Sequence, residues 1–593
     1  MTAVATVAAL LVGVAFHQPR WGIWAFAGAF TSFYVDDQPF RARARRLALV
    51  ALGLAAAEAL GALATVWWLM AVGLAAAGVA ATYLAGRTRL PLPAGFMFLL
   101  VACISAAVPN VPQTPERVAF ALVGGAIAWL VGMAGWLVDR RGPETRKVRG
   151  AYMDLAAFLG TTPGSGEEPV RQADAAAAWR TAARALAGPP GRDPARARLA
   201  FLVDRGERML LAAAAARAAT DRPLDPAWAS FVRALAGVVG TEGPVPSPPP
   251  AADPGAADAG LAAIAADTVA TLAHGPAAIA QAVAGGTARR PAAQAPPEPP
   301  MLRQAALRLG LAVGLSVVVA HALGAAHPYW APLTVAAVLQ GHTVRMVTQR
   351  AVDRVLGTLA GLALVAVILG FTRPGAPAVM AMVVVLQAAM RVLMVKNYGL
   401  AVAPMTAFAL LIVHASSPAA PSGLEIGRLW DTLLGVALAL GAAYLLWARS
   451  ASHRLPGQIA RALDLEGSLF ARVADRSAAG AGAQVADLER RLVELDEVAR
   501  DALAEVPRSR AAHRLWPAVA AVQRLGYALV AGARGVASLG ETDAGADRGA
   551  FERLAGAARG GGAGRDVGLA ENAATGPVGR QLRAVAVALG PRP

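Results

Sequence analysis

Apolar residues gather in two long blocks, 2–137 and 305–448, and each is followed by a stretch that holds most of the charges, prolines and loop residues, 138–304 and 449–593. A bilayer-spanning helix needs about 20 predominantly apolar residues, with a range of roughly 17–25. On that measure the first block predicts spans near 2–16, 21–36, 47–65, 67–86, 91–109 and 117–138. The second predicts spans near 305–325, 328–342, 352–371, 375–394, 398–415 and 427–448. The run 47–86 is too long for one crossing and reads as two with a tight turn. Several of the others are short, as in the interrupted helices from which transporters build their sites. The predicted fold class is all-α: a polytopic membrane protein with two six-helix halves, 1–138 and 305–448. Each half is followed by a helical cytosolic domain, 139–304 and 449–593.

The second block contains a repeat. Ala331-Pro332-Leu333-Thr334 recurs as Ala403-Pro404-Met405-Thr406, 72 residues later. Arg354, Thr358 and Gly361 recur as Arg428, Thr432 and Gly435, 74 residues later. The copies lie three spans apart, so they are expected to run in opposite directions through the bilayer, as inverted three-helix repeats. The first block keeps a worn version: Arg46 and Arg117 precede Arg354 and Arg428 by 308 and 311 residues, and His17 and Trp21 precede His327 and Trp330 by 310 and 309. It lacks the Ala-Pro-x-Thr signature.

Orientation follows from Lys and Arg in short loops. With the N-terminus inside, eleven fall on the inner side, among them Arg41, Arg46, Arg345, Arg391 and Lys396. Only Arg20, Arg117, Arg373 and Arg428 fall outside. Both polar stretches are then cytosolic, with Arg449 inside. The first apolar run lacks a basic leader and a clear cleavage site, and reads as a retained helix.

Composition adds limits. Only 16% of residues are charged, against about 25% in ordinary soluble proteins. The net charge of +16 sits beside apolar spans and on amphipathic helices, with no basic run interleaved with aromatics, which argues against nucleic acid. The single cysteine, Cys103, allows neither an intrachain disulfide nor a metal site built on Cys. His17, His321, His327 and His414 fall near the outer face without ligand spacing, so neither metal nor cofactor is expected. No P-loop and no catalytic constellation is present, so an enzyme is not expected either. In the polar stretches 241–258 and 286–300 read as linkers and 540–575, Gly-rich from Gly560 to Gly564, as a loop. Leu488, Leu492, Leu495, Ala499, Ala502 and Val506 form a short heptad stripe, expected to pack on the first polar stretch or on a second chain.

His327-Pro-Tyr-Trp330-Ala-Pro332-Leu-Thr334, followed by Arg350, Arg354 and Gly357-Thr358-x-x-Gly361, resembles the core signature of the fusaric acid resistance (FUSC) family, over about residues 303–450. That family includes aromatic carboxylic acid efflux pumps and is distantly related to plant aluminium-activated malate channels. The resemblance implies an inner-membrane protein that exports organic, often aromatic, carboxylates. A periplasmic adaptor protein is a partner that family pumps often use.

The residues themselves support a site in the second half. Pro332 and Pro404 can break their helices where two such breaks line a path, or merely kink them for packing. Thr334 and Thr406 can meet the freed carbonyls or a ligand. Arg350, Arg354 and Arg428 can hold a carboxylate in fork geometry, one guanidinium at each mouth, or can fix topology as snorkelling charges. Asp353 and Asp431 can neutralise them when the site is empty. Trp330 is either a belt anchor, like Trp21, Trp24 and Trp447, or a platform for an aromatic substrate. Thr358 and Thr432, one turn beyond the arginines, complete the candidate set. Glu58 lies about 18 Å along a helix from Arg46 at ~1.5 Å per residue, near the bilayer centre. It is a proton-coupling candidate or a protonated structural group. The expected function is a secondary exporter of small organic anions, with a homo-oligomer as a candidate assembly. An anion channel and a membrane-anchored scaffold or regulator are the alternatives.

Overall fold

The structure, a computed structural model, describes residues 1–590 except 92, 187–192, 221, 242, 250–256, 286–301, 326, 341–343, 372–375, 417–423, 447–450, 476–480, 504–509, 537–543 and 561–576. The expectations placed on the linker 286–300, Arg373, Trp447, Arg449, Val506 and most of the Gly-rich stretch lie outside the described residues, as does the side chain of His414.

Among the described residues every regular element is helical. The first block forms α1 (Thr2–Ala15), α2 (Pro19–Ala29) with a 3-10 extension Phe30–Tyr34, α3 (Phe40–Ala62), α4 (Trp67–Thr88), α5 (Phe96–Ala106), α6 (Thr114–Met133) and α7 (Gly135–Val138). The next stretch forms α8 (Gly142–Leu159), α9 (Glu168–Ala185), α10 (Pro194–Ala219), α11 (Pro226–Val238), α12 (Ala259–Ala273) and α13 (Pro276–Gly285). The second block forms α14 (Leu302–Ala322), α15 (Trp330–Val338), α16 (Val344–Phe371), α17 (Ala376–Lys396), α18 (Tyr398–Ser416) and α19 (Leu424–Leu446). The last stretch forms α20 (Ala451–Ala474), α21 (Gly482–Leu503), α22 (Arg510–Ala533), α23 (Ala544–Arg559) and α24 (Pro577–Leu589).

Among the described residues five segments are long and apolar enough to cross a membrane: Trp67–Thr88, Thr114–Val138, Leu302–Ala322, Arg345–Leu369 and Gly427–Leu445. Helices α2, α5 and α15 have 11, 11 and 9 residues. At ~1.5 Å per residue they reach about half of a ~30 Å hydrocarbon core. Prolines shape them: Pro19 starts α2 at its first position, Pro91 and Pro93 precede α5, and Pro328 precedes α15. All nine residues of α15 are buried, so this helix is core on every side. Leu49, Leu52, Val72, Leu311, Leu315, Val352, Leu356 and Val367 stand exposed on α3, α4, α14 and α16, an apolar surface suited to lipid. The chain is an all-α membrane protein.

Residues Met1–Arg140 and Pro296–Ala448 form one compact unit, and Arg141–Ala295 and Arg449–Pro593 another. In the first unit the helix pairings of one block recur in the other. Contacts α1–α2, α2–α6, α3–α5, α3–α6 and α4–α5 are matched by α14–α15, α15–α19, α16–α18, α16–α19 and α17–α18. The blocks meet through α4–α14 and its counterpart α1–α17. Small residues make the first approach close: a Cβ on Gly310 would sit 2.4 Å from Val79 Cγ2 and 2.7 Å from the Ala75 carbonyl oxygen. Phe26 and Phe30 of the first block pack on Phe408 of α18.

In the second unit Asp193 and Asp225 cap α10 and α11, each accepting backbone N–H bonds ahead of a proline at the first helical position. The stripe Leu488, Leu492, Leu495, Ala499 and Ala502 is buried, and α21 packs mainly on α20 and α22 of its own stretch. The expectation of a partner in the first polar stretch or a second chain is thereby corrected: the apolar faces of α20 and α22 cover the stripe. The two polar stretches are joined instead by α10 against α22, and by Arg524–Glu168 at 2.8 Å and Arg500–Asp174 at 2.9 Å. Glu466 on α20 is fully buried with both carboxyl oxygens unpartnered, against Gly526 of α22.

Candidate functional site

The two motif copies of the second block pack crosswise. Gly361 of α16 lies on α18, where a Cβ would meet the Ala403 carbonyl oxygen and Thr406 Cβ, each at 2.7 Å. Gly435 of α19 lies on α15, where a Cβ would meet Thr334 Cβ at 2.6 Å and the Ala331 carbonyl oxygen at 2.8 Å. Each Arg-Thr-Gly helix thus rests on the Ala-Pro-x-Thr segment of the other copy. Glycine is needed at both crossings because the atoms met include backbone, which cannot swing aside.

The crossing aligns polar groups. Arg350, Arg354 and Thr358 fall at four-residue steps on one face of α16, and Arg428 and Thr432 do so on α19. Arg354 and Arg428 are 1% and 2% exposed and lie within electrostatic range of each other. Neither opens to a mouth, so the expectation of one guanidinium at each end of a path gives way to a shared buried seam. Arg354 Nη1 contacts Met405 Sδ at 3.3 Å, and the Tyr398 hydroxyl lies beside it. The Arg428 guanidinium sits 4.1 Å from the Trp330 ring centroid, a cation–π contact. Tyr329, Cys103 of α5 and Asp431 are within its field. Among the described residues no ion pair is formed by either guanidinium, and Asp431 is the carboxylate within range. Two guanidiniums against one carboxylate leave one positive charge without a counter-charge. Thr334, Thr358 and Thr406 are buried, and their hydroxyls have no hydrogen-bond partner among the described residues. Thr432 differs: it donates to the Arg428 carbonyl at 2.8 Å.

The prolines play unequal parts. Pro332 is the third residue of α15, in the first turn, where a missing N–H removes no helical bond. It starts its helix and does not break it. Pro404 lies inside α18 and does remove one.

Arg350 is half-buried. It donates to the Ala337 carbonyl at 3.3 Å and lies 4.7 Å from the Tyr398 ring centroid. Beside Arg350 is a cavity of about 70 Å³ lined by Pro93, Ala337, Arg350, Met394, Tyr398 and Met405. Pockets that hold small-molecule ligands run to about 300–1,000 Å³, so this space takes a few waters and no ring-sized carboxylate.

The first block answers the same positions differently. Arg46, the counterpart of Arg354, pairs with Asp36 at 2.6 Å. Arg117, the counterpart of Arg428, pairs with Glu58 at 3.8 Å and donates to Ser105 Oγ at 3.1 Å and to the Val108 carbonyl at 2.6 Å. Glu58 is thus buried beside Arg117 inside the first block. Tyr398, Met405 and Cys103 escaped the sequence reading. Tyr398 carried one signal: it opens the second Ala-Pro-x-Thr helix, as Trp330 opens the first.

Residues 311–442 match the family described as fusaric acid resistance protein-like. The chain is 29% identical over 541 residues to "Uncharacterized membrane protein YvaC" of Bacillus subtilis (strain 168), covering 88% of this chain and 83% of that protein. No solved structure matches the chain. The crossed helices α15, α16, α18 and α19, with their arginines, all fall within or across residues 311–442. Most of the second membrane block of this protein thus resembles the family described as fusaric acid resistance protein-like.

Proposed function

We propose that the protein is a secondary transporter that exports small organic carboxylates, aromatic ones among them, across the cytoplasmic membrane by alternating access. In this reading both polar stretches face the cytosol, as the positive-inside bias favours. The observation that carries it is the excess positive charge, among the described residues, at the buried Arg354 and Arg428, on crossed helices that also carry buried threonine hydroxyls without hydrogen-bond partners. A buried charge without a partner is costly, and a monovalent carboxylate supplies the missing negative charge together with acceptors for the hydroxyls and guanidinium N–H groups. The arginines at the same positions of the first block are instead paired with carboxylates, which supports the contrast. An interior-negative potential would drive such an anion outward by about 2.3 kcal/mol per charge per 100 mV. The small cavity fits an occluded, unloaded state.

The test is benzoate efflux from proteoliposomes, with and without a pH gradient. A charge-assisted hydrogen bond contributes ~1.5–3 kcal/mol, so Arg354→Gln and Arg428→Gln should each slow efflux about 10- to 150-fold. Both variants transporting within twofold of the native protein would sink the assignment.

A further inference from the structure

Resting on that reading, we infer that Tyr398 is a specificity-determining latch: its ring holds Arg350 and closes one end of the arginine seam until a ring-bearing carboxylate takes its place.

The position is fixed from the sequence upward. Asn397 separates α17 from α18, and its side-chain oxygen accepts the Gly399 and Leu400 backbone N–H groups at 2.8 and 3.4 Å, an N-terminal cap. That cap makes Tyr398 the first residue of α18. Asp353 lies against Gly399 and within electrostatic range of Arg350, which ties the start of α18 to α16. The Tyr398 ring thereby stands with the Arg350 guanidinium 4.7 Å from its centroid and its hydroxyl beside Arg354. The same two residues line the small cavity, together with Met405, which touches Arg354. The Arg350–Tyr398 contact thus forms part of the cavity wall, and Met405 joins that wall to Arg354.

A carboxylate is suited to part Arg350 from Tyr398. It offers Arg350 shorter, charge-assisted bonds than a ring face can. Once Arg350 turns to the incoming anion, the Tyr398 face is free to pack against an aromatic ring. An aliphatic acid gains the first contact and lacks the second. At the other end the Trp330 ring covers Arg428 in the same manner, so each APxT helix opens with an aromatic residue over an arginine.

The experiment uses the full chain with Cys103→Ala and a reporter Ala337→Cys in the cavity wall, reacted in detergent with a membrane-impermeant maleimide. Tyr398→Leu and Arg350→Gln should each raise the labelling rate at least tenfold, and Tyr398→Phe, which keeps the ring, should stay within twofold of the parent. In proteoliposomes Tyr398→Leu should lower the ratio of benzoate to cyclohexanecarboxylate efflux at least fivefold. Should Tyr398→Leu fail to fold, Arg350→Gln, which dissolves the same contact from the other side, decides the labelling arm. Parental labelling rates in both variants, or an unchanged efflux ratio in Tyr398→Leu, would overturn the latch. Labelling as expected, with no benzoate efflux by the native protein, would overturn the transport reading and leave the closure by Tyr398 standing.

Discussion

Arg117 and Arg428 hold the same place in their blocks and have opposite fortunes. Arg117 has Glu58, Ser105 and the Val108 carbonyl around it, and Arg428 has a tryptophan face and the field of Asp431, with Arg354 as a second positive charge in range. Removing one member of a buried ion pair strands the other charge at a cost of about 3–5 kcal/mol. Glu58→Gln should therefore lower the melting temperature and yield of the protein while leaving the pH dependence of efflux in the surviving molecules intact. A stable Glu58→Gln protein whose efflux no longer responds to a pH gradient would return Glu58 to a coupling role. The sequence made Arg354, Arg428 and their threonines legible, because the repeat sets them in register. It could not show which arginines were neutralised. Glu58 and Arg117 sit on helices that the chain brings together only after α4 and α5 have intervened. Tyr398 stayed hidden for a similar reason: its partner Arg350 is on α16, and nothing local marks the pair.

At the scale of elements, apolar runs foretold helices and prolines mark where the short ones begin, since both effects act within a few residues. Which helix lies on which was not legible, because periodicity marks a buried face without naming its neighbour. The glycines were the nearest hint. The contact of α4 with α14 depends on Gly310, where any side chain meets the Ala75 backbone. Overpacking of this kind costs about 1–3 kcal/mol, so Gly310→Leu should destabilise the protein by that amount, read from its thermal melt in detergent. A melt unchanged from the native protein would show that α4 and α14 can part without consequence.

At the scale of the molecule, the membrane blocks share one unit and the polar stretches another. In the second unit burial pushes the Glu466 carboxyl well above its ordinary value of 4.5. Between its unfolded and folded values the unfolded chain carries that group ionised and the folded one carries it protonated, so folding takes up a proton over that interval. The contribution of Glu466 to stability is full below the unfolded value and falls as pH rises through the folded one. Glu466→Gln should abolish that fall, seen as hydrogen exchange in α20 and α22, corrected for intrinsic rates, that no longer quickens above neutrality. An unaltered slope would mean that another group sets it. The crosswise seating of the motif copies has a consequence for biosynthesis. Helices α15 and α16 leave the ribosome before α18 and α19, their seats, have been made. Until then Arg354 lacks its shelter and α15 has no protein around much of its surface. A chain interrupted after α17 would therefore offer the cell's quality-control proteases an unfinished interior rather than a smaller working unit.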